Sequence, residues 1–430
     1  MVEKGKRYEL RISDFTHTGE GVAKVDGFAV FVPGAMPGEK VLIRITEKKR
    51  NYGRGLLLER LTVSPQRREP PCPIYEQCGG CQVQHLTDSA QLEMKRHKVD
   101  SALRRIGGVQ APEVREVWGM DNPWRYRSKV TFAVRDNRLG YYGAKSHHFV
   151  PVEDCLLLPE DMVRCKHRLE VLLRDESIHP EKVVIRKSHA HGTLQAIFYG
   201  ARMGHHHLKV FGDRIQSDGC LSSAGWVDQE RNRYAHLFGP DVLEEVILGL
   251  NYRISPVAFV QVNHSQMENL YGYALEKTSL RPTDTVLDLY CGIGAMTCLI
   301  AREAGRVIGI DEVHSAIVDG EANARNNGME NVTYLTGRVE EVLPELVAAG
   351  TVPDVVFLDP PRAGAKPEVL DVIRQAGPRE IMYISCDPAT LARDLSRLCH
   401  DDAYRISLVK PVDMFPQTYH VETVCLLTRK

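Results

Sequence analysis

The sequence predicts an α/β protein whose C-terminal part is a Rossmann-like domain, preceded by a small OB-like β-barrel and a central α+β domain. Three observations carry this reading. From about residue 256 onward, apolar strand-like runs alternate with helical patterns, the mark of a parallel sheet with crossover helices. The first 62 residues hold only short apolar strands separated by Gly- and Pro-bearing turns. A chain of 430 residues also exceeds what a single core usually supports.

The elements follow in order. In residues 1–62, Tyr8–Ile12, Ala29–Val32 and Lys40–Ile45 read as strands. Gly19-Glu20-Gly21 and Pro33-Gly34-Ala35-Met36-Pro37-Gly38 punctuate them as turns. A five-stranded OB-type barrel fits, a fold often used for nucleic-acid strands. Pro65, Pro70, Pro71 and Pro73 mark a linker into the central domain, residues 63–255, where a helix is expected over Ser89–Ile106 and strands over Lys129–Val134 and Lys182–Arg186. Residues 256–430 form the third domain.

Composition bounds the function. Apolar residues at 43% and charged residues at 26% are ordinary for a soluble globular protein. No signal-peptide core and no run of membrane-spanning length is present, so a cytoplasmic location without membrane attachment is expected. A net charge of −1 gives no global field for nucleic acid. Basic residues do cluster locally, as in Lys95, Arg96, Lys98, Arg104 and Arg105, or Arg125, Arg127 and Lys129. Each cluster reads alone as a solvated face; together they suggest an RNA-facing surface. Eleven cysteines without a secretion signal are not expected to form disulfides.

The third domain holds the pattern expected of a cofactor site. Thr285–Tyr290 reads as a buried strand running into Cys291-Gly292-Ile293-Gly294 and a helix from Ala295. Glycines at such a corner let the backbone turn sharply and approach a ligand. The next strand ends at Asp311, a carboxylate suited to ribose hydroxyls. Only two glycines of a dinucleotide G-x-G-x-x-G are present; the D-x-Y-C-G-x-G form resembles S-adenosylmethionine (AdoMet)-dependent methyltransferases. A third strand end supplies Asp359-Pro360-Pro361-Arg362, at the sheet edge where such folds bind ligands.

Glu380–Ser385 should be the following strand, delivering Cys386 to that same edge, with Glu422 on the last strand. A thiol and a carboxylate in this setting suit methyl transfer to a pyrimidine carbon. That carbon is too weak a nucleophile unaided, so a thiolate must first add to the ring. The proton on the methylated carbon must then leave to a base, a step worth about 10²–10⁴-fold. Alone, Cys386 could be a small buried hydrophobe at a strand end, and Glu422 a solvated strand residue. A second thiol group, Cys72, Cys78 and Cys81 in C-x5-C-x2-C spacing with a distant Cys155, suits either a [4Fe–4S] cluster or structural zinc.

Jointly these residues resemble a known family, the TRAM-domain uracil-C5 RNA methyltransferases, in the iron–sulfur branch that makes 5-methyluridine in 23S ribosomal RNA. The resemblance covers essentially the whole chain: Thr18-Gly19-Glu20-Gly21 of the barrel, the four-cysteine array, Phe259-Val260-Gln261-Val262-Asn263, the D-L-Y-C-G-x-G turn, D-P-P-R, S-C-D-P and His420-Val421-Glu422-Thr423-Val424. It implies that Gln261, Tyr290, Asp311 and Asp359 contact AdoMet, that Cys386 is the nucleophile and Glu422 the base. It also implies that Phe259 stacks on the flipped target base, that the four cysteines hold a [4Fe–4S] cluster, and that the protein is a monomer acting on RNA. Two positions depart from the pattern. Asp311 stands where glutamate is commoner, and Ala295 where some members carry a polar residue. A transfer-RNA methyltransferase and a non-catalytic RNA-binding factor are the alternatives.

Overall fold

The computed structural model describes residues 2–144, 146–174 and 178–430. The N-terminal unit comprises β1 (Arg7–Arg11), β2 (Asp14–Phe15), β3 (Gly21–Val25), β4 (Phe28–Val32), β5 (Lys40–Lys48) and β6 (Tyr52–Thr62). They form one six-stranded sheet in the order β1-β5-β6-β4-β3-β2. The sheet differs from the expected five strands by the two-residue β2. Alternation of apolar and polar residues along β5 buries Val41, Ile43 and Ile45 in its core and leaves Lys40, Arg44 and Thr46 outside.

Beyond a Pro-rich connection, α1 (Asp88–Arg105) starts at Thr87, whose hydroxyl accepts from the Ala90 amide. The central sheet contains β7 (Lys129–Arg135), β8 (Arg138–Tyr142), β9 (Phe149–Pro151), then after α2 (Glu160–Arg174) β10 (Lys182–Lys187) and β11 (Leu194–Gly200), and after α3 (His205–Asp218) β12 (Ser223–Asp228) and β13 (Arg233–Phe238). Its order is β13-β12-β11-β10-β7-β8-β9, with α2 and α3 sharing one core with Val183, Ile185 and Phe198.

A hairpin, β14 (Leu243–Ile247) and β15 (Leu250–Ile254), leads into α4 (His264–Lys277). The catalytic domain then alternates strictly: β16 (Thr285–Leu289), α5 (Ala295–Ala301), β17 (Arg306–Asp311), α6 (His314–Asn326), β18 (Val332–Thr336), α7 (Val339–Ala348), β19 (Val355–Leu358), α8 (Pro367–Ala376), β20 (Glu380–Ser385) and α9 (Pro388–Leu398). It ends in β21 (Tyr404–Val412) and β22 (Glu422–Arg429). The sheet order is β18-β17-β16-β19-β20-β22-β21. The first five strands are parallel, and β22 is inserted antiparallel to both β20 and β21. Leu243, Ile247 and Tyr252 of the hairpin pack into the catalytic core, so that core reaches back before residue 256.

Helix α1 also belongs physically to the catalytic sheet. Val99 and Leu103 pack with Leu391 and Leu395 of α9. The segment after α1 lies alongside β21 through bridges Val114–Val409 and Trp118–Val412. One member of the basic cluster departs from the surface expectation, whereas Arg96, Arg104 and Arg105 are exposed. Lys95 has no exposed surface; its ammonium is paired with Asp413 and donates to the Phe415 carbonyl at 3.1 Å. Burial pulls the Lys95 ammonium down and pushes the Asp413 carboxyl up, each countered by its partner. Next to this pair, Gln417 exchanges hydrogen bonds with Gln91 and accepts from Arg68 at 2.9 Å. The loop 413–421, which leads to Glu422, is thus held from α1 and the cysteine-bearing segment.

Removing one partner of a buried pair strands the other charge. Lys95→Met is therefore expected to cost about 3–5 kcal/mol, read as a lower urea midpoint. A midpoint shift no larger than that of a surface substitution, about 0.5 kcal/mol, would show that this pair does not hold the loop.

Candidate active site

The C-terminal edge of the catalytic sheet opens into a cavity whose lining includes Gln261, Tyr290, Gly292, Asp359 and Ile384, with Phe259 at its rim. The strand ends explain this convergence, because parallel strands deliver the residues after β16, β19 and β20 to one side. Tyr290 holds a left-handed backbone, φ +65°, a conformation that costs a residue bearing a Cβ about 1–3 kcal/mol. It turns the chain into the glycine corner. At Gly294, φ +76°, a Cβ would collide with the Tyr334 hydroxyl, so that position requires glycine. Asp311 does not line the cavity; its carboxylate accepts from the amides of Gly292 (2.9 Å) and Val313 (2.8 Å), bracing the glycine corner from below.

Cys386 and Glu422 meet through strand register. Ser385 of β20 pairs with Thr423 of β22, so one residue further on Cys386 stands opposite Glu422. The Asp387 side chain caps α9, accepting from Ala389 and Thr390, which places the thiol just ahead of a helix N-terminus. Glu422 is buried, and desolvation with help from Asp359 raises its carboxyl to about 8. Asp359 is raised to about 7 by burial and by Asp288, and Asp288 to about 7 by burial against a 2.5 Å bond from the Thr297 hydroxyl. Burial, Glu422 and Asp359 push the Cys386 thiol up to about 12, with Arg362 alone opposing. Burial and mutual repulsion therefore hold all three carboxyls well above the usual carboxylate range, a setting that a cationic ligand would relieve.

Sequence reasoning passed over several residues here. Tyr271 of α4 lines the cofactor cavity, as does Asp288, the first residue of the D-x-Y-C-G-x-G motif that the sequence did mark. Lys98, pulled down to about 8 mainly by burial, donates to the Tyr419 carbonyl at 3.1 Å and stands over the Tyr419 ring. Arg362 was legible in its D-P-P-R motif; nothing in the helical run around Lys98 marks it.

The four expected metal-ligating cysteines, Cys72, Cys78, Cys81 and Cys155, line a second cavity of about 330 Å³. Burial is the main cause raising the thiols of Cys72, Cys78 and Cys81, the last to about 12. Among the described residues, no group of three or more His, Cys, Asp or Glu side chains is drawn together tightly enough for a single metal ion. Phe259 and Val260 line both cavities, so one short segment separates the cysteines from the cofactor site. Phe259 itself is 72% exposed. No helix among the described residues is long and apolar enough to cross a membrane.

Comparison with known proteins agrees with this architecture. Residues 242–430 match the tRNA (Uracil-5-)-methyltransferase family and residues 2–58 the TRAM domain. An uncharacterised RNA methyltransferase of Clostridium tetani is 36% identical over 449 aligned residues, covering 99% of this chain and 97% of its own. One from Halalkalibacterium halodurans is 37% identical, covering 100% and 98%. The Pyrococcus abyssi tRNA (uracil-54, C5)-methyltransferase, solved with S-adenosyl-L-homocysteine, shares the fold at a TM-score of 0.79 and 24% identity, over 98% of this chain and 99% of that one.

The buried acids set a pH dependence. Asp288, Asp359 and Glu422 titrate higher folded than unfolded, so between about 4 and about 8 the unfolded chain binds fewer protons. Their contribution to stability is full below the unfolded values and is lost as pH rises through the folded ones. The thermal midpoint of the ligand-free protein should carry a downward slope across this window that Asp359→Asn flattens. An identical slope in wild type and variant would dissolve the cluster as a coupled unit.

Proposed function

Since this chain belongs to the AdoMet-dependent RNA (uracil-C5)-methyltransferases, we propose that it methylates C5 of uridine in 23S ribosomal RNA, with Cys386 as nucleophile and Glu422 as base. The observation that carries the mechanism is the β20–β22 register, which sets thiol and carboxylate opposite each other beside Asp359. Bound AdoMet supplies an electrophilic methyl group and a positive sulfonium. Gln261, Tyr290 and Asp359 are the residues to hold it, and Asp311 contributes through the glycine corner it braces.

The chain's own chemistry follows from balance. Cys386 Sγ adds to C6 of the uracil ring, which turns C5 into a nucleophile. After C5 has gained its methyl group, Glu422 removes the C5 proton, the C5–C6 double bond re-forms, and the thiolate leaves C6. The raised thiol and carboxyl values must fall before either step. Arg362 already opposes both, and a cation beside Asp359 acts in the same direction. Phe259 stacks on a base drawn out of its RNA in this reading, which its exposure at the cavity lining supports.

The cysteine cavity accommodates a [4Fe–4S] cluster in this reading, with Cys72, Cys78, Cys81 and Cys155 as thiolate ligands. Four thiols spread around one cavity suit a multi-iron centre better than a single tetrahedral ion. Such a centre would supply cross-linking of the Pro-rich connection to the central sheet.

A second reading, transfer RNA as substrate, is favoured by the Pyrococcus abyssi enzyme, whose fold matches over almost the whole chain. The barrel and cysteine segment therefore do not by themselves choose the RNA.

Labelled AdoMet offered with unmodified 23S ribosomal RNA and, separately, with transfer RNA tests the choice. Methyl label at one or two defined 23S uridines is expected; label on transfer RNA alone moves the substrate and keeps the chemistry. Glu422→Gln should slow turnover by about 10²–10⁴-fold and accumulate a denaturation-resistant protein–RNA adduct that Cys386→Ala cannot form. An adduct persisting in Cys386→Ala would sink the covalent mechanism. Anaerobically purified protein should bind iron and inorganic sulfide with visible absorption, both lost in Cys81→Ser; zinc in their place would overturn the cluster.

A further inference from the structure

The segment Ser255–Asn263 between β15 and α4 carries both Phe259 and Gln261, and its anchoring is uneven. At its start Ser255 donates from its amide (2.9 Å) and hydroxyl (2.6 Å) to Asp319 of α6. At its end the amide and hydroxyl of Ser128 both donate to the Val262 carbonyl, at 2.7 and 3.0 Å, and Asn263 caps α4. Between them, Phe259, Val260 and Gln261 make no hydrogen bond within the protein among the described residues. The strap is a span fixed at its ends and bare at the three residues that face cofactor and base.

A second anchor of the leading end, beside Asp319, comes from another domain. Arg186, on β10 of the central sheet, is 3% exposed and has no ion-pair partner among the described residues. One amino group donates to two consecutive strap carbonyls, Ser255 at 2.7 Å and Pro256 at 2.8 Å. Burial pulls this guanidinium down to about 10, with Asp319 opposing. Lys129 of β7 adds a longer contact of 3.4 Å to the Ala258 carbonyl. A buried cation bonded only to carbonyls is a costly way to hold a loop if the central sheet needed no more than a packing residue there.

We infer that Arg186 is a positioning residue for the methyl-transfer reaction: from the central domain it sets the Ser255–Gln261 strap, and so the placement of Gln261 against AdoMet and of Phe259 against the target base. The inference rests on the cofactor role assigned to Gln261. Its signature is in binding. With Arg186→Met the strap loses both carbonyl contacts while the apolar stem is kept.

Titration of the full-length protein with AdoMet, together with steady-state kinetics on RNA, tests it. Arg186→Met should weaken AdoMet about tenfold and raise KM for RNA, with kcat at saturation changed by less than about threefold. Arg186→Lys should restore most of the loss, and hydrogen exchange of residues 256–262 should quicken in the Met variant. A merely structural role would instead reduce the active fraction, lowering kcat with binding unchanged. A folded Arg186→Met with AdoMet affinity and KM within about twofold of wild type overturns the inference. Should that variant fail to fold, Lys129→Met carries the same readouts, and unchanged binding there overturns it equally. Gln261→Ala separates the two levels: no loss of AdoMet affinity there indicts the cofactor assignment, whereas loss there with a neutral Arg186→Met indicts only the positioning role.

Discussion

The active site depends on one strand pairing. Strand β22 runs antiparallel between β20 and β21, and its register against β20 puts Glu422 opposite Cys386. A slip of one residue would turn Glu422 to the other face of the sheet. The pairing is reinforced from outside the sheet, since the loop that leads into β22 is tied down by Lys95 and the Gln91–Gln417 exchange. Two buried polar contacts from α1 thus stand behind the carboxylate of a strand more than three hundred residues further along the chain.

The same compactness explains the electrostatics. Asp288, Asp359 and Glu422 share a dry sheet edge, so each disfavours ionisation of the next. Arg362 is the one cation that lowers both the thiol and Glu422. A site in this state is matched to a positively charged cosubstrate. Ligand charge and acid ionisation are linked terms, and the thiol next to them is the group that gains.

Much of this was legible in the sequence because parallel strands advertise their ends. Tyr290, Asp359 and Cys386 each follow an apolar run, and strand direction alone sends all three to one edge. Gly294 was legible as a turn glycine after the strand; that the Tyr334 hydroxyl leaves no space there for a side chain appears only in the structure. Asp311 ends its strand as the sequence indicates; that its oxygens accept from the Gly292 and Val313 amides is a main-chain relation the sequence does not show. Lys95 looked like surface because its neighbours Arg96 and Lys98 are also basic; helical phase turns it inward, and only Asp413 makes that burial tolerable. Arg186 carried no signal, as its partners are main-chain carbonyls, which no side-chain pattern encodes. Nor could spacing reveal that the cysteine cavity and the cofactor cavity share the wall at Phe259 and Val260.

The Lys95–Asp413 pair also bears on how this architecture can be divided. The match to the methyltransferase family begins at residue 242, which invites treating the C-terminal part as a portable module. Cut there, it would keep Cys386, Glu422 and the residues that line the cofactor cavity. It would also keep Asp413 in its apolar setting without a counter-charge, β21 without the edge partners at Val114 and Trp118, and the Ser255–Gln261 strap without Arg186. The catalytic machinery is contiguous in sequence but not self-sufficient, so recombining this domain with foreign RNA-binding partners requires α1 and β10 to travel with it.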